Sequence, residues 1–88
     1  MKLNQEIVNR INQVAVEFIT GSLNEPLVEA IQRIDELLSS VKLSEETSNF
    51  RNYEFEDENY WVEIVISQDF TSLTFNDFVL KKEFTISM

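Results

Sequence analysis

The spacing of apolar residues along this chain of 88 residues changes near Asn49. Before that point, apolar residues recur every three or four positions, which is the period of a helix with one buried side. Beyond it they recur at every second position, which is the period of a strand with one buried face. Because the helical part precedes the strands and does not alternate with them, the sequence predicts an α+β fold.

Two amphipathic helices are predicted in the first half, over residues 3–20 and 25–41. Their apolar positions are Leu3, Ile7, Ile11, Val14 and Phe18 in the first and Leu27, Ile31, Ile34, Leu38 and Val41 in the second. Gly21, the only glycine in the sequence, is placed to end the first helix in a left-handed conformation. Asn24 is the expected N-cap of the second helix, with Pro26 in its first turn. The short connection predicts an antiparallel helical hairpin.

Strands are predicted throughout the second half. Their approximate ranges are 49–56, 59–67, 71–76 and 78–87. Two-residue turns at 57–58 and 76–77 would join neighbouring strands, and strands joined by such short loops must be antiparallel. We therefore expect residues 1–88 to form a single domain, in which the helical hairpin packs on one face of a four-stranded antiparallel meander.

The register of the predicted hairpin assigns each strand residue to one face of the sheet. Phe55 would lie opposite Tyr60 on the inner face, under the helices, and Glu54 would lie opposite Trp61 on the outer face. The other residues expected on the outer face are Phe50, Glu56, Glu63, Val65, Val79 and Glu83. The sequence therefore predicts a tryptophan among glutamates on the face that the helices leave uncovered.

The absence of cysteine and histidine limits the chemistry open to this chain. It excludes disulfides and cysteine-based metal sites, and it removes the side chain most often used as a general base. Glu54, Glu56 and Glu63 are carboxylates on one face, but an open sheet offers no cleft for acid–base catalysis and their spacing is not that of a calcium loop. We therefore expect no catalytic residue, no metal site and no cofactor, and the protein is predicted not to be an enzyme.

The first residues of the chain lack the apolar core of a signal peptide. No stretch of the sequence approaches the ~18 apolar residues that can span a membrane. A cytoplasmic protein without membrane contact is therefore expected.

Acidic residues outnumber basic ones by 16 to 7, and the net charge is −9. Between Ser44 and Asp69 the sequence has eight acids and a single base, Arg51, so that this segment has a net charge of −7. Direct binding to nucleic acid is disfavoured, because phosphate contacts need clustered lysine and arginine. A basic protein is the natural electrostatic complement, although charge of this sign also serves solubility.

The candidate partner-binding residues lie around the tryptophan of this segment. They are Glu54, Glu56, Asp57, Glu58, Trp61 and Glu63. The ring would supply desolvated contact area, and the carboxylates would steer and orient a basic partner. An arginine of that partner could stack on Trp61 while it pairs with Glu54 or Glu63. Two other roles for Trp61 are open: a homodimer contact, or packing against Phe50 and Val65 or against the 67–72 loop.

The predicted function is that of a small acidic binding protein that docks onto a basic protein surface and occludes it. The partner could be a nuclease or a toxin, with carboxylates standing where nucleic-acid phosphates normally lie. In size and composition the chain is similar to acidic inhibitors such as phage anti-CRISPR proteins and immunity proteins, with which it shares no motif. The alternative is a homo-oligomeric structural or adaptor subunit whose interface is the outer face of the sheet.

Overall fold

The computed structural model describes residues 2–41 and 43–88, and within these residues it contains two α-helices and five strands. The helices are α1 (Lys2–Thr20) and α2 (Leu27–Leu37), and one 3-10 turn, Leu38–Ser40, follows α2. The strands are β1 (Leu43–Glu46), β2 (Phe50–Glu56), β3 (Trp61–Ser67), β4 (Ser72–Asp77) and β5 (Lys82–Ser87). The predicted α+β class is therefore confirmed. The side chain of Leu3, assigned above to the apolar stripe of the first helix, lies outside the described set.

The end of α1 confirms the role predicted for Gly21. This glycine has a φ of 75°, which residues with a Cβ rarely adopt. The Ser22 N–H donates to the Glu17 carbonyl at 2.8 Å, and the Gly21 N–H donates to the Phe18 carbonyl at 3.3 Å. These two bonds satisfy carbonyls that the end of the helix would otherwise leave without partners, and they turn the chain toward α2.

The second helix is shorter than predicted. It begins at Leu27, its N-cap residue is Pro26 without a side-chain hydrogen bond, and Asn24 is not the cap. The ring of Pro26 explains the difference, because the residue before a proline is disfavoured in helical conformation, and Glu25 therefore stays outside the helix. At the other end, the α-helix gives way to the 3-10 turn at Leu38, ahead of the predicted end at 41.

The sheet is antiparallel, and its strand order, β1-β2-β3-β4-β5, is the order of the chain. The prediction of four strands is wrong, because β1 adds a fifth. Its sequence, LSEE, has one apolar residue and no alternation, so no period-two signal marks it. Leu43 pairs with Tyr53 of β2, and the register shifts between Leu43 and Glu45.

The turns of two hairpins are longer than predicted. Glu56 pairs with Trp61, and Asp77 pairs with Lys82, so each turn has four residues and the predicted pairings of Glu54 with Trp61 and of Phe55 with Tyr60 are wrong. A side-chain cap explains the difference: the Asp57 Oδ1 atom accepts the backbone N–H groups of residues 59 and 60 at 2.8 and 2.9 Å. The Asp77 Oδ1 atom accepts those of residues 79 and 80 at 3.0 Å each. Such caps stabilise a wider turn than the two-residue type.

The inner face of the sheet and the helices bury one continuous apolar cluster. Its strand residues include Tyr53, Val62, Ile64, Ile66, Leu73, Phe75 and Ile86, and its helical residues include Ile7, Ile11, Val14, Ile31 and Ile34. The longer turns shift the pairing in each hairpin by an even number of residues, which moves no side chain to the other face. The outer face of the sheet therefore remains the face that the helices do not cover. None of the helices in the described residues has the length and apolar character needed to cross a bilayer.

Candidate partner-binding surface

A row of acidic side chains crosses the outer face of the sheet. Glu54 of β2 pairs with Glu63 of β3, Glu63 pairs with Asn76 of β4, and Asn76 pairs with Glu83 of β5. We call Glu54, Glu63, Asn76 and Glu83 the acidic row. Since neighbouring strands lie ~4.8 Å apart, the row extends over ~14 Å. It places three carboxyl side chains in one line on a solvent-facing surface.

The acidic row is not neutralised within the described part of the chain. No ion pair of the described residues includes one of its glutamates. The one polar contact from a neighbouring row comes from Asn52, whose Nδ2 atom donates to the Glu63 Oε2 atom at 3.2 Å. The Oδ1 atom of Asn52 is buried and has no hydrogen-bond partner among the described residues. Like charges directly opposite each other destabilise a sheet, so the pair of Glu54 and Glu63 does not serve the stability of the fold.

Trp61 lies next to the acidic row on the same face. It precedes Glu63 by two residues on β3, and it pairs with Glu56 across the hairpin. Its ring contacts that of Phe78, with the ring centroids 4.8 Å apart, and the Phe78 N–H donates to the Trp61 carbonyl at 2.8 Å. With 43% of its surface exposed, Trp61 keeps a large part of its ring free for contact.

The ring that Trp61 contacts is not among the packing partners that the sequence left open for it. Phe50 pairs with Ser67, at the far end of β3 from Trp61, and the ring of Phe70 lies beneath the Arg51 guanidinium. Phe78 falls within the strand predicted over residues 78–87, so the sequence does not predict its position in the turn beside Trp61. The ring contact became possible because the turn after β4 has four residues instead of two.

The other predicted site residues are divided between the surface and the fold. Glu56 is exposed on the outer face, and Glu58 is exposed in the turn that follows. Asp57 has a structural role: besides capping its turn, its Oδ2 atom accepts a hydrogen bond from Asn4 of α1 at 2.8 Å. That bond and the bond from the Asn59 backbone hold the pKa of Asp57 well below its usual range. Glu54, Glu56, Trp61 and Glu63 thus share one face, with Glu58 adjoining it and Asp57 turned to α1.

A second group of charges lies on the inner side of the sheet, at its opposite end. The Arg51 Nη1 atom contacts Asp35 of α2 at 2.8 Å, and its Nε atom contacts Glu46 of β1 at 3.4 Å. Gln68 bonds to both Arg51 and Glu46, and the Tyr53 hydroxyl donates to Asp35 at 3.0 Å. We call Asp35, Glu46, Arg51, Tyr53 and Gln68 the Arg51 network. Burial raises the pKa of Tyr53, and the hydrogen bond to the Asp35 carboxylate raises it further.

One depression of about 280 Å³ lies away from the outer face, along α1. It is lined by Glu6, Asn9, Arg10, Gln13 and Leu37. Within residues 2–41 and 43–88, no three acidic side chains are grouped as ligands of a metal ion. The outer face is therefore the surface with the most distinctive combination of charge and exposed aromatic area.

We compared the chain with protein-family models, with curated proteins and with solved structures, and none of the three comparisons gave a match. Function is therefore inferred from the geometry and charge of the outer face.

Proposed function

We propose that this protein is a non-enzymatic binding protein that docks the outer face of its sheet onto a basic surface of another protein and occludes that surface. The observation that carries the proposal is the acidic row, which has no cation partner within the described residues and whose Glu63 lies beside the half-exposed Trp61. Paired glutamates repel each other and destabilise the sheet that carries them. Binding of a cationic partner would offset that repulsion, which gives a reason for their presence.

The two parts of this surface would contribute differently to binding. The carboxylates of the acidic row would raise the rate of encounter with a basic partner, and this contribution would weaken as salt screens the charges. The pair of rings, Trp61 and Phe78, would provide the desolvated contact that slows dissociation. An arginine of the partner could stack on Trp61 and pair with Glu56 or Glu63, which lie across from it and next to it.

The chemistry of the surface also indicates the class of partner. The acidic row would repel nucleic-acid phosphates, and it would suit a protein groove built to bind them. The partner we propose is therefore a basic nucleic-acid-binding protein, such as a nuclease or a toxin, met in the cytoplasm. In this arrangement the helices, which we take as an antiparallel hairpin on the inner face, would hold the sheet rigid from behind.

Self-association through the outer face is the alternative function. It would bring two acidic rows against each other without a cation between them, and like-charge juxtaposition of this kind is costly. No observation specifically favours it over a basic partner.

The test is capture from a lysate with the tagged protein, elution by a salt step, and identification by mass spectrometry. A captured basic protein would then be purified and titrated against variants by calorimetry. Trp61→Ala is expected to weaken binding by ~30-fold, the size of a typical hot spot. Glu54→Gln, Glu63→Gln and Glu83→Gln combined should weaken binding and reduce its dependence on salt. The control removes two charges elsewhere: Glu29→Gln with Glu36→Gln, at exposed positions on α2.

The proposal fails if the partner binds the Trp61→Ala variant and the triple variant as tightly as it binds the original chain. It also fails if the α2 control weakens binding as much as the triple variant, because total charge alone would then explain the interaction.

A further inference from the structure

The two edge strands of the sheet, β1 and β5, differ in how well they are protected from pairing with a strand of another molecule. β1 has four residues, its pairing with β2 is irregular, and Glu45 and Glu46 on it are exposed. Short length, irregular pairing and charge are the features with which proteins discourage pairing at an edge. β5 pairs regularly with β4 over six residues, and its second half, from Phe84 onward, carries no charged side chain. β5 is thus an open edge.

The backbone of β5 has hydrogen-bonding groups that point away from the sheet. The Met88 N–H donates to the Thr71 carbonyl at 3.0 Å. Because bonding directions alternate along an antiparallel ladder, this bond directs the backbone of Glu83, Thr85 and Ser87 away from β4. In the strand order of the described residues, β5 has a neighbour on one side only. Three successive backbone units are therefore open to another strand.

Helix α1 points toward the β5 edge of the sheet. Asn4 contacts Asp57 at the turn between β2 and β3, and Asn12 accepts a hydrogen bond from the Lys82 ammonium at the start of β5, at 3.1 Å. The helix therefore runs across the sheet toward its β5 edge. Val16 and Ile19 follow Asn12 by about one and two turns on the same side of α1, and both are exposed.

Exposed apolar side chains lie on α1 and at both ends of β5. Val16 and Ile19 on α1 are 61% and 76% exposed, and Val79, Leu80 and Met88, at the two ends of β5, are 56%, 72% and 77% exposed. In the described residues these are five of the six large hydrophobic side chains that are exposed, and the sixth is Trp61. An edge strand with exposed apolar side chains at both ends is a candidate interaction site.

We propose that β5 pairs antiparallel with β5 of a second copy of this chain. A twofold axis perpendicular to the sheet would join the two sheets into one of ten strands. The same axis keeps both helical layers on one side, so the exposed Val16 and Ile19 of the two α1 helices would come together beside the joined strands. Both acidic rows would stay on the opposite face, free to contact a partner.

The sequence of β5 is complementary to itself in one register. With Thr85 on the axis, all three outward-facing backbone units find a partner. Phe84 then lies opposite Ile86 on the inner face, twice, and Glu83 lies opposite Ser87 on the outer face. No like charges oppose each other in this register, and the half-buried ring of Phe84 gains apolar cover.

Charge opposes a second copy less at this edge than elsewhere on the chain. Residues 78–88 contain Lys81, Lys82 and Glu83 and have a net charge of +1, in contrast to −7 for residues 44–69. Two β5 edges therefore meet with much less repulsion than two acidic segments would. A basic protein would instead be drawn to the acidic row. The inference concerns a surface separate from that of the proposed function and does not depend on it.

Sedimentation velocity on the full chain at rising concentration tests the proposal. We expect a monomer–dimer equilibrium that persists at high salt, since apolar area and backbone bonds hold the interface. Hydrogen exchange at low and high concentration should show that the amides of Glu83, Thr85 and Ser87 become protected in the dimer.

Two variants test the interface, one on β5 and one on α1. Thr85→Pro removes an outward N–H while the ladder to β4 is left intact, and Ile19→Glu places a charge at the helix contact. Each should raise the dimer dissociation constant about tenfold or more. Gln5→Glu is the matched control, because it adds the same charge on an exposed position of α1 three to four turns earlier. Circular dichroism would verify the fold of each variant.

A monomer at every concentration would overturn the proposal. So would a dimer that forms equally well with Ile19→Glu and with a folded Thr85→Pro variant, or a dimer that Trp61→Ala disrupts.

Discussion

The acidic row and the Arg51 network contain acids from the same stretch of sequence in opposite electrostatic settings. In the Arg51 network, one guanidinium lies between Asp35 and Glu46 at the boundary of α2 and the sheet. In the acidic row, three glutamates face solvent, and no cation of the described residues contacts them. The single base of residues 44–69 is thus used inside the fold, and the outer face keeps its charge.

This difference shows that a charge count over a segment does not locate its electric field. Glu46 contributes to the same −7 as Glu54, yet Arg51 largely neutralises the first and leaves the second. The period of two decides which acids meet the base, because residue 51 shares its face with residues 53 and 55 and residue 54 does not. Substitutions on the two sides of the sheet should therefore have opposite effects on stability.

The largest effect is expected from Arg51→Met. The change leaves Asp35 and Glu46 without their cation in a partly buried setting, and the free energy of unfolding should fall by about 2 kcal/mol. Urea denaturation would measure it. Arg33→Met is the control: its guanidinium pairs with Glu25 at 3.2 Å, but its side chain is 63% exposed, so it should lose about 0.5 kcal/mol or less. Equal losses would show that the setting of the two ion pairs does not differ.

The next effect concerns the rings beside the acidic row. Trp61→Ala removes the contact with Phe78 and should lower the free energy of unfolding by about 1 kcal/mol. Trp61→Phe keeps an aromatic contact and should recover most of that loss in the same denaturation experiment. If both variants are as stable as the original chain, the contact between Trp61 and Phe78 contributes nothing to the fold.

A smaller effect of opposite sign is expected within the acidic row. Glu63→Gln removes a charge that faces Glu54 but keeps an acceptor for Asn52, so the free energy of unfolding should rise by about 0.5 kcal/mol in low salt. The gain should shrink in high salt, which screens the repulsion. Thermal or urea denaturation at two salt concentrations would measure both. A loss of stability at both salt concentrations would show that the acidic row is compensated after all.

The smallest effect is expected from acid titration of Asp57. Because the folded state holds the pKa of this carboxylate below its usual value, its contribution to stability is complete above the unfolded pKa of about 3.9 and is lost as the pH falls further. Asp57→Asn keeps the cap of the turn but cannot titrate, so its urea midpoint should fall less steeply below about pH 4. Parallel curves for the Asp57 variant and the original chain would contradict the assignment.

The sequence is sufficient to predict on which face of the sheet a strand residue lies. It is not sufficient to predict which residue it pairs with on the next strand. Trp61 and Glu63 were placed on the outer face although the turn before them has four residues, since an even shift in register changes partners without changing faces. The pairing is not predicted because the lengths of the two turns depend on Asp57 and Asp77. Their carboxylates accept hydrogen bonds from backbone N–H groups of the turns, and the spacing of hydrophobic residues does not reveal such bonds. An acidic residue at the first position of a hairpin turn was the available signal.

Other parts of the candidate site depended on several pairings at once. Glu83 joins Glu54 only when the registers of three successive hairpins are known, and an error in one turn breaks that chain of inference. The contact of Trp61 with Phe78 depended on the same turn. The sequence of β1 shows no alternation of apolar and polar residues, because its residues are mainly polar. It could therefore be recognised as a strand only through its pairing with β2.

The hydrogen bond between Asn12 and Lys82 has a consequence for the order of events during synthesis. It joins residues 70 positions apart, whereas every strand pairs with the strand made just before it. On the ribosome, each hairpin can close as it emerges, but α1, made first, must wait until β5 exists before it can dock fully. Until then α1 can pack only on the elements already made, so the part of its apolar side that faces the last strands stays exposed on the nascent chain.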